Sequence, residues 1–215
     1  MRASLLSNAL FGWFRRRFAS DQTPVSVRRG RRDHVIILDG TMSSLEPGCE
    51  TNAGLLYRML QEIGGDLSVY YESGLQWEDW RSATHIMTGR GINRQICRAY
   101  GFLASRYRPG DRVFFFGYSR GAFAVRSLAG VIDQIGLLRA ECATERNIRQ
   151  AYRLYRHTQG DEVVQAFVAE HCHPETKIEA VCVWDTVKAL GWRMPELWRL
   201  SENQHAFHND QLGPS

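Results

Sequence analysis

No apolar run in the sequence approaches the ~20 residues that a membrane-crossing helix requires, so an integral membrane protein is not expected. The five cysteines, Cys49, Cys97, Cys142, Cys172 and Cys182, form no CxxC pair and are odd in number. That spacing argues against a disulfide framework or a structural zinc site. Several of them stand inside apolar runs, where a free cysteine behaves as a small hydrophobe, and a reducing compartment is expected. Lysine is nearly absent: Lys177 and Lys188 stand against 25 arginines, a compositional bias rather than a spatial code. No internal repeat is visible.

The 215 residues are 44% hydrophobic, 11% aromatic and 23% charged, enough apolar mass for a core and too much for a disordered chain. One domain with a short appendage is expected. The net charge of +4 is unevenly held. Residues 1–32 carry eight arginines against Asp21, and the remainder is mildly acidic. A basic body would have pointed to nucleic acid, which is therefore not expected as a partner. Within the basic extension, Leu5, Leu6, Ala9, Leu10, Trp13 and Phe14 recur at helical spacing, followed by Arg15, Arg16 and Arg17. A secretory signal carries its charge ahead of the apolar stretch. Residues 1–20 read instead as an amphipathic helix for a membrane surface, or as a disordered extension or misassigned start. A cytoplasmic chain without signal peptide is expected.

Folded sequence begins at Asp33. The run His34–Leu38 (HVIIL) reads as a buried strand, Thr51–Ile63 as a helix with Leu55, Leu56, Met59, Leu60 and Ile63 on one face, and Leu67–Tyr71 as a second strand. An irregular stretch follows from Glu72 to Gly91. Ile92, Ile96, Ala99, Leu103 and Tyr107 then mark a helix, Arg112–Phe116 a strand, and Arg120–Ile135 a helix that Gly136 is placed to end. Two helical stretches, about 145–156 and 161–171, lead to a strand over Ile178–Trp184. Strands alternating with helices predict an α/β domain, a mostly parallel sheet with helices on both faces.

Gly117-Tyr118-Ser119-Arg120-Gly121 is a G-x-S-x-G. Small residues on either side of a serine permit the tight strand-to-helix turn that pushes its hydroxyl clear of a sheet. The strand Phe114–Phe116 precedes it, and Ala122, Val125, Leu128, Val131 and Ile132 supply the helix behind. Ser119 is the candidate nucleophile, and the amide of Arg120 would face a developing oxyanion. Such a serine needs a base and an acid that orients it. Asp185, at the end of the last strand, is the candidate acid. Asp39-Gly40-Thr41 resembles the DxDGT signature of aspartate-nucleophile phosphatases, but Ile37 stands where that chemistry needs a second Asp. What remains is a loop after the first strand whose backbone N–H, at Gly40 or Thr41, supplies a second oxyanion donor.

The segments ILDGT (37–41), TNAGLLY (51–57), the continuous stretch from Gly89 to Ile132, VWDTVKALG (183–191) and FHNDQLGPS (207–215) resemble one bacterial family. It is the type VI secretion phospholipase-effector-like catalytic domain, long described as a domain of unknown function. The resemblance covers residues 33–215 and implies an α/β-hydrolase fold with a Ser-Asp-His triad. It implies Ser119 as nucleophile, Asp185 as acid partner, and a small-molecule or lipid acyl ester as substrate, without a cofactor. Export by a dedicated secretion system is also in keeping with it.

The resemblance places the catalytic histidine downstream of the stretch matching FHNDQLGPS. A chain ending at Ser215 is then expected to lack that histidine together with the last strand and helix, and to be weak or inactive by itself. His205 and His208 are the alternatives for the base. His171 and His173 flank Cys172, but no further ligands are spaced to complete a metal site. The expected function is a serine hydrolase of the esterase or phospholipase type. The alternative is a non-catalytic interaction module that keeps the fold without the base.

Overall fold

The apolar run at His34–Leu38 lies in the middle of the sheet as strand β1 (Asp33–Leu38). It pairs in parallel with β2 (Leu67–Glu72) on one side and β3 (Arg112–Tyr118) on the other. Strand β4 (Ile178–Trp184) adds to β3, again in parallel, giving the order β2-β1-β3-β4. The computed structural model of the chain describes residues 30–41, 43–74, 90–157 and 161–186. The N-terminal stretch Leu5–Arg17, most of the loop after β2, and all residues after Thr186, with His205 and His208, lie outside the described residues.

The helices are α1 (Asn52–Ile63), α2 (Arg90–Ala104), α3 (Arg120–Ile135), α4 (Glu145–His157) and α5 (Asp161–His171), with a 3-10 turn at Ala140–Cys142. Strand side chains alternate between two faces, and here both faces are covered. Val35 and Ile37 of β1 share one apolar cluster with Ala53, Leu56 and Leu60 of α1 and with Phe114 and Phe116 of β3. Ile36, Leu38 and Phe115 point the other way, into the larger core with Ile96 and Leu103 of α2 and Val125 and Leu128 of α3. This is the α/β fold expected from the alternation of patterns, with its parallel sheet enclosed by helices.

The expected apolar faces of α2 and α3 are buried throughout. Tyr107 lies beyond the end of α2, where its amide donates to the Leu103 carbonyl at 2.9 Å. Gly136 ends α3 with φ 91°, a conformation that disfavours a side chain, and its N–H donates to the Ile132 carbonyl at 2.9 Å. Two expectations fail. Helix α1 turns Ala53, Leu56, Tyr57 and Leu60 to the sheet, while Leu55 (41% exposed), Met59 (59%) and Ile63 (69%) face outward. Its apolar residues occupy two stripes, and Ala53 rather than Leu55 sets the inner one. Cys182, in an apolar run, is nevertheless exposed on β4, as is Val183, because β4 is the last strand of the described sheet.

The strand order positions the site. From β1 the chain passes to β2 on one side and then returns to β3 on the other. The carboxyl ends of β1 and β3 are therefore the switch point of the sheet, the usual ligand position in open parallel sheets. Asp39-Gly40-Thr41 leaves β1 there, and Ser119 leaves β3. Among the described residues no helix is long and apolar enough to cross a membrane.

Candidate active site

One residue separates β3 from α3, and it is Ser119. Its φ of 55° and ψ of −116° are a strained backbone for a residue with a Cβ, costing on the order of 1–3 kcal/mol. The surroundings hold it there. Its amide donates to the Trp184 carbonyl at 3.0 Å, and its carbonyl accepts from the Phe123 amide at 3.4 Å. A serine at a helix N-cap ordinarily turns its hydroxyl back onto an amide of the first turn. Ser119 makes no such bond, so its half-buried hydroxyl is not consumed by capping.

The two glycines of the motif are required by close approach. A Cβ at Gly121 would lie 2.0 Å from the Leu38 carbonyl oxygen, and one at Gly117 would lie 2.6 Å from Ala122 Cα. Helix α3 can thus start directly over the end of β1. Its first amides, that of Arg120 included, have no partner within the helix and sit at the positive end of its dipole. The Arg120 guanidinium is itself partly buried, and burial lowers its pKa. Phe123, another large side chain near the elbow, is buried in the core.

Asp185 follows the last residue of β4 and is exposed. Its φ is 44°, and among the described residues Ser119 and Asp185 are the two non-glycine residues with positive φ. Tyr118 and Trp184 are register partners on neighbouring parallel strands. The elbow and the candidate acid therefore leave the sheet at one level, side by side.

The loop after β1 lies against the elbow. Gly40 packs on the elbow: a Cβ there would come within 2.8 Å of Tyr118 Cδ1 and 3.2 Å of Ser119 Cβ. Its amide donates to Asp39 Oδ1 at 2.7 Å. The Thr41 hydroxyl is buried without a hydrogen-bond partner. Asp39 is only 1% exposed, and its part in the site was not foreseen. An acid directly behind four apolar strand residues was the available signal, since such a position is buried unless the chain turns away.

Three described histidines lie elsewhere. His34 stands near the start of β1, at the opposite end from Gly40, with Nε2 2.9 Å from Asp111 Oδ2. His171 and His173 flank Cys172, whose backbone meets Leu138 in an isolated antiparallel bridge. Burial pushes the Cys172 thiol up to about 11. Among the described residues no group of three or more His, Cys, Asp or Glu is placed to hold a metal.

Residues 32–215 match the family described as "T6SS, Phospholipase effector Tle1-like, catalytic domain". The chain is also 28% identical, over 200 residues, to YEL023C, an uncharacterized protein of the yeast Saccharomyces cerevisiae. That alignment covers 78% of this chain and 28% of the yeast protein, so the chain spans less than a third of that relative's length. No solved structure matches the chain.

Proposed function

The chain belongs to the Tle1-like phospholipase effector catalytic domain family, and from that premise we propose that it is a serine hydrolase acting on acyl esters through Ser119. The observation that carries this reading is the elbow itself. A serine held at φ 55° between a strand and a helix, with its hydroxyl released from capping, stands at the switch point between β1 and β3.

In the proposed reaction Ser119 Oγ attacks the acyl carbonyl carbon while an imidazole takes its proton. The oxyanion is received by the Arg120 amide and by the loop at Gly40–Thr41. Asp185 holds the imidazole in the tautomer that accepts the proton and stabilises the imidazolium that results. The imidazolium then protonates the departing alcohol, leaving an acyl-serine ester. Water, deprotonated by the same base, releases the carboxylic acid and restores Ser119. The base is assigned outside the described residues, either to the histidine that the family resemblance places downstream of FHNDQLGPS or to His205 or His208. The family supports a lipid acyl ester as substrate, and the apolar and arginine-rich residues 1–20 suit contact with a membrane surface.

The test is turnover of a short-chain p-nitrophenyl ester and of phospholipid vesicles. It compares the 215-residue chain, a form extended through the family's histidine segment, and the His205→Ala and His208→Ala variants. A downstream base gives weak turnover by the 215-residue chain and full turnover by the extended form. Equal turnover by both, abolished in one histidine variant, assigns the base to that residue. An extended form inert toward both substrates contradicts the reading.

A further inference from the structure

The carboxyl group of Asp39 joins three parts of the fold beside the elbow. Its Oδ1 accepts the Gly40 amide at 2.7 Å, and its Oδ2 accepts the Thr51 hydroxyl at 2.6 Å and the Tyr71 hydroxyl at 2.8 Å. Thr51 is the N-cap of α1, and its Oγ1 accepts the Gly54 amide at 3.0 Å. Tyr71 belongs to β2 and stacks on Tyr57 of α1 with ring centroids 4.8 Å apart. Burial, and then its bond to Asp39, raises the Tyr71 hydroxyl's pKa. A buried carboxyl supplied with three donors is satisfied, and removing it would strand each of them.

The loop that this carboxyl grips is the one lying on Ser119. Gly40 is pinned at its amide by Asp39, and its carbonyl accepts the Ser43 amide at 3.3 Å. Behind it, a Cβ on Gly74 would stand 2.0 Å from the Gly40 carbonyl oxygen, so β2's exit presses directly on the Gly40–Thr41 peptide. Asp39 takes no part in the proton transfers proposed above. Its bonds act on the loop instead of on the reacting atoms.

We propose that Asp39 is a positioning residue whose carboxyl fixes the loop Gly40–Thr41 against the elbow at Ser119, in the place where it can receive an oxyanion. The Gly40 amide is occupied by that carboxyl, which leaves Thr41 as the donor this loop offers. Donors aimed in advance need no reorganisation as charge develops, and a displacement of about 1 Å costs on the order of 10²-fold in rate. The inference rests on Ser119 being the nucleophile.

The variants are Asp39→Asn, which keeps the shape and loses one acceptor, and Tyr71→Phe and Thr51→Val, which each remove one donor from the carboxyl. They are read by ester turnover in the form that hydrolyses ester and by hydrogen exchange at the Gly40 amide. Asp39→Asn is expected to lower kcat by about 10²-fold with KM held within ~3-fold, because the loss falls in the transition state. Its Gly40 amide should exchange faster, and Tyr71→Phe and Thr51→Val should show the same pattern to a smaller degree. Unchanged kcat in Asp39→Asn, or a loss seen wholly in KM, overturns the proposal. Should Asp39→Asn not fold, Tyr71→Phe alone decides between these outcomes. An inert wild-type chain, with Ser119 unreactive, refutes the hydrolase reading instead, and Gly40 exchange still decides whether Asp39 holds the loop: unaltered exchange in Asp39→Asn overturns the clamp.

Discussion

Ser119 and Asp185 each follow one member of a registered strand pair, Tyr118 on β3 and Trp184 on β4, and each has a positive φ. The Ser119 amide completes the link by donating to the Trp184 carbonyl. A hydrogen-bonded backbone thus fixes the spacing between the proposed nucleophile and the proposed acid, independently of any side-chain contact. Strain at both positions, borne by the same pair of strands, is the kind of local cost that concentrates at functional sites.

Replacing the acid should separate catalysis from stability. Asp185→Asn is expected to lower kcat by ~10³ to 10⁴-fold by unsettling the imidazole tautomer. The melting temperature should hardly move, because the side chain is exposed and Asn tolerates φ 44° as well as Asp does. Steady-state kinetics beside thermal melts check both halves. Near-normal turnover would send the search for the acid elsewhere.

The close approach at Gly121 predicts a different signature. In Gly121→Ala the new Cβ meets the Leu38 carbonyl, a backbone atom that cannot step aside. Overpacking of this kind costs ~1–3 kcal/mol, against about 1 kcal/mol that alanine returns in helix propensity. A net loss of stability by urea denaturation is expected, accompanied by lower reactivity at Ser119.

The strands and the helix behind the elbow were legible from their apolar residues and the turn residues that bound them. The short β-branched run Val35–Leu38, stopped by Asp39-Gly40, marks a buried strand, and the spacing of Ala122, Val125 and Leu128 marks a helix. Helix α1 was legible as a helix but not in its orientation. Two apolar stripes share its surface, and only packing on Val35 and Ile37 chooses between them. The placing of Ser119 and Asp185 directly behind strands could be read, because each follows an apolar strand run in the sequence. The hydrogen bonds of Asp39 could not, since its partners Thr51 and Tyr71 lie 12 and 32 residues away.

The two sides of α1 and the central sheet can be told apart by mutation. Met59→Gln is expected to change stability by no more than ~0.5 kcal/mol. Phe115→Ala, at a fully buried position in β3, should cost ~3–5 kcal/mol through its cavity. Denaturant midpoints measure both, and a costly Met59→Gln would show that the outer stripe of α1 is covered.

Thiol reactivity should follow burial. At about pH 8 iodoacetamide is expected to modify the exposed Cys49 and Cys182 first and Cys172 last, because the buried thiol gives little thiolate. The Cys172 thiol ionises near 11 in the folded chain, above its ordinary value of 9.0. Its contribution to stability is therefore complete below about 9 and is lost as the pH rises through about 11. Peptide mapping after timed alkylation gives the order directly.

The most direct measurement is covalent labelling by a fluorophosphonate, with the modified residue located by mass spectrometry. It reads the nucleophile without requiring knowledge of the natural ester. The expected result, in the form that hydrolyses ester, is one adduct on Ser119, absent from Ser119→Ala, whose melting temperature should match the wild type. Labelling that persists unchanged in Ser119→Ala, or that maps to another residue, would contradict the assignment of Ser119 as the nucleophile.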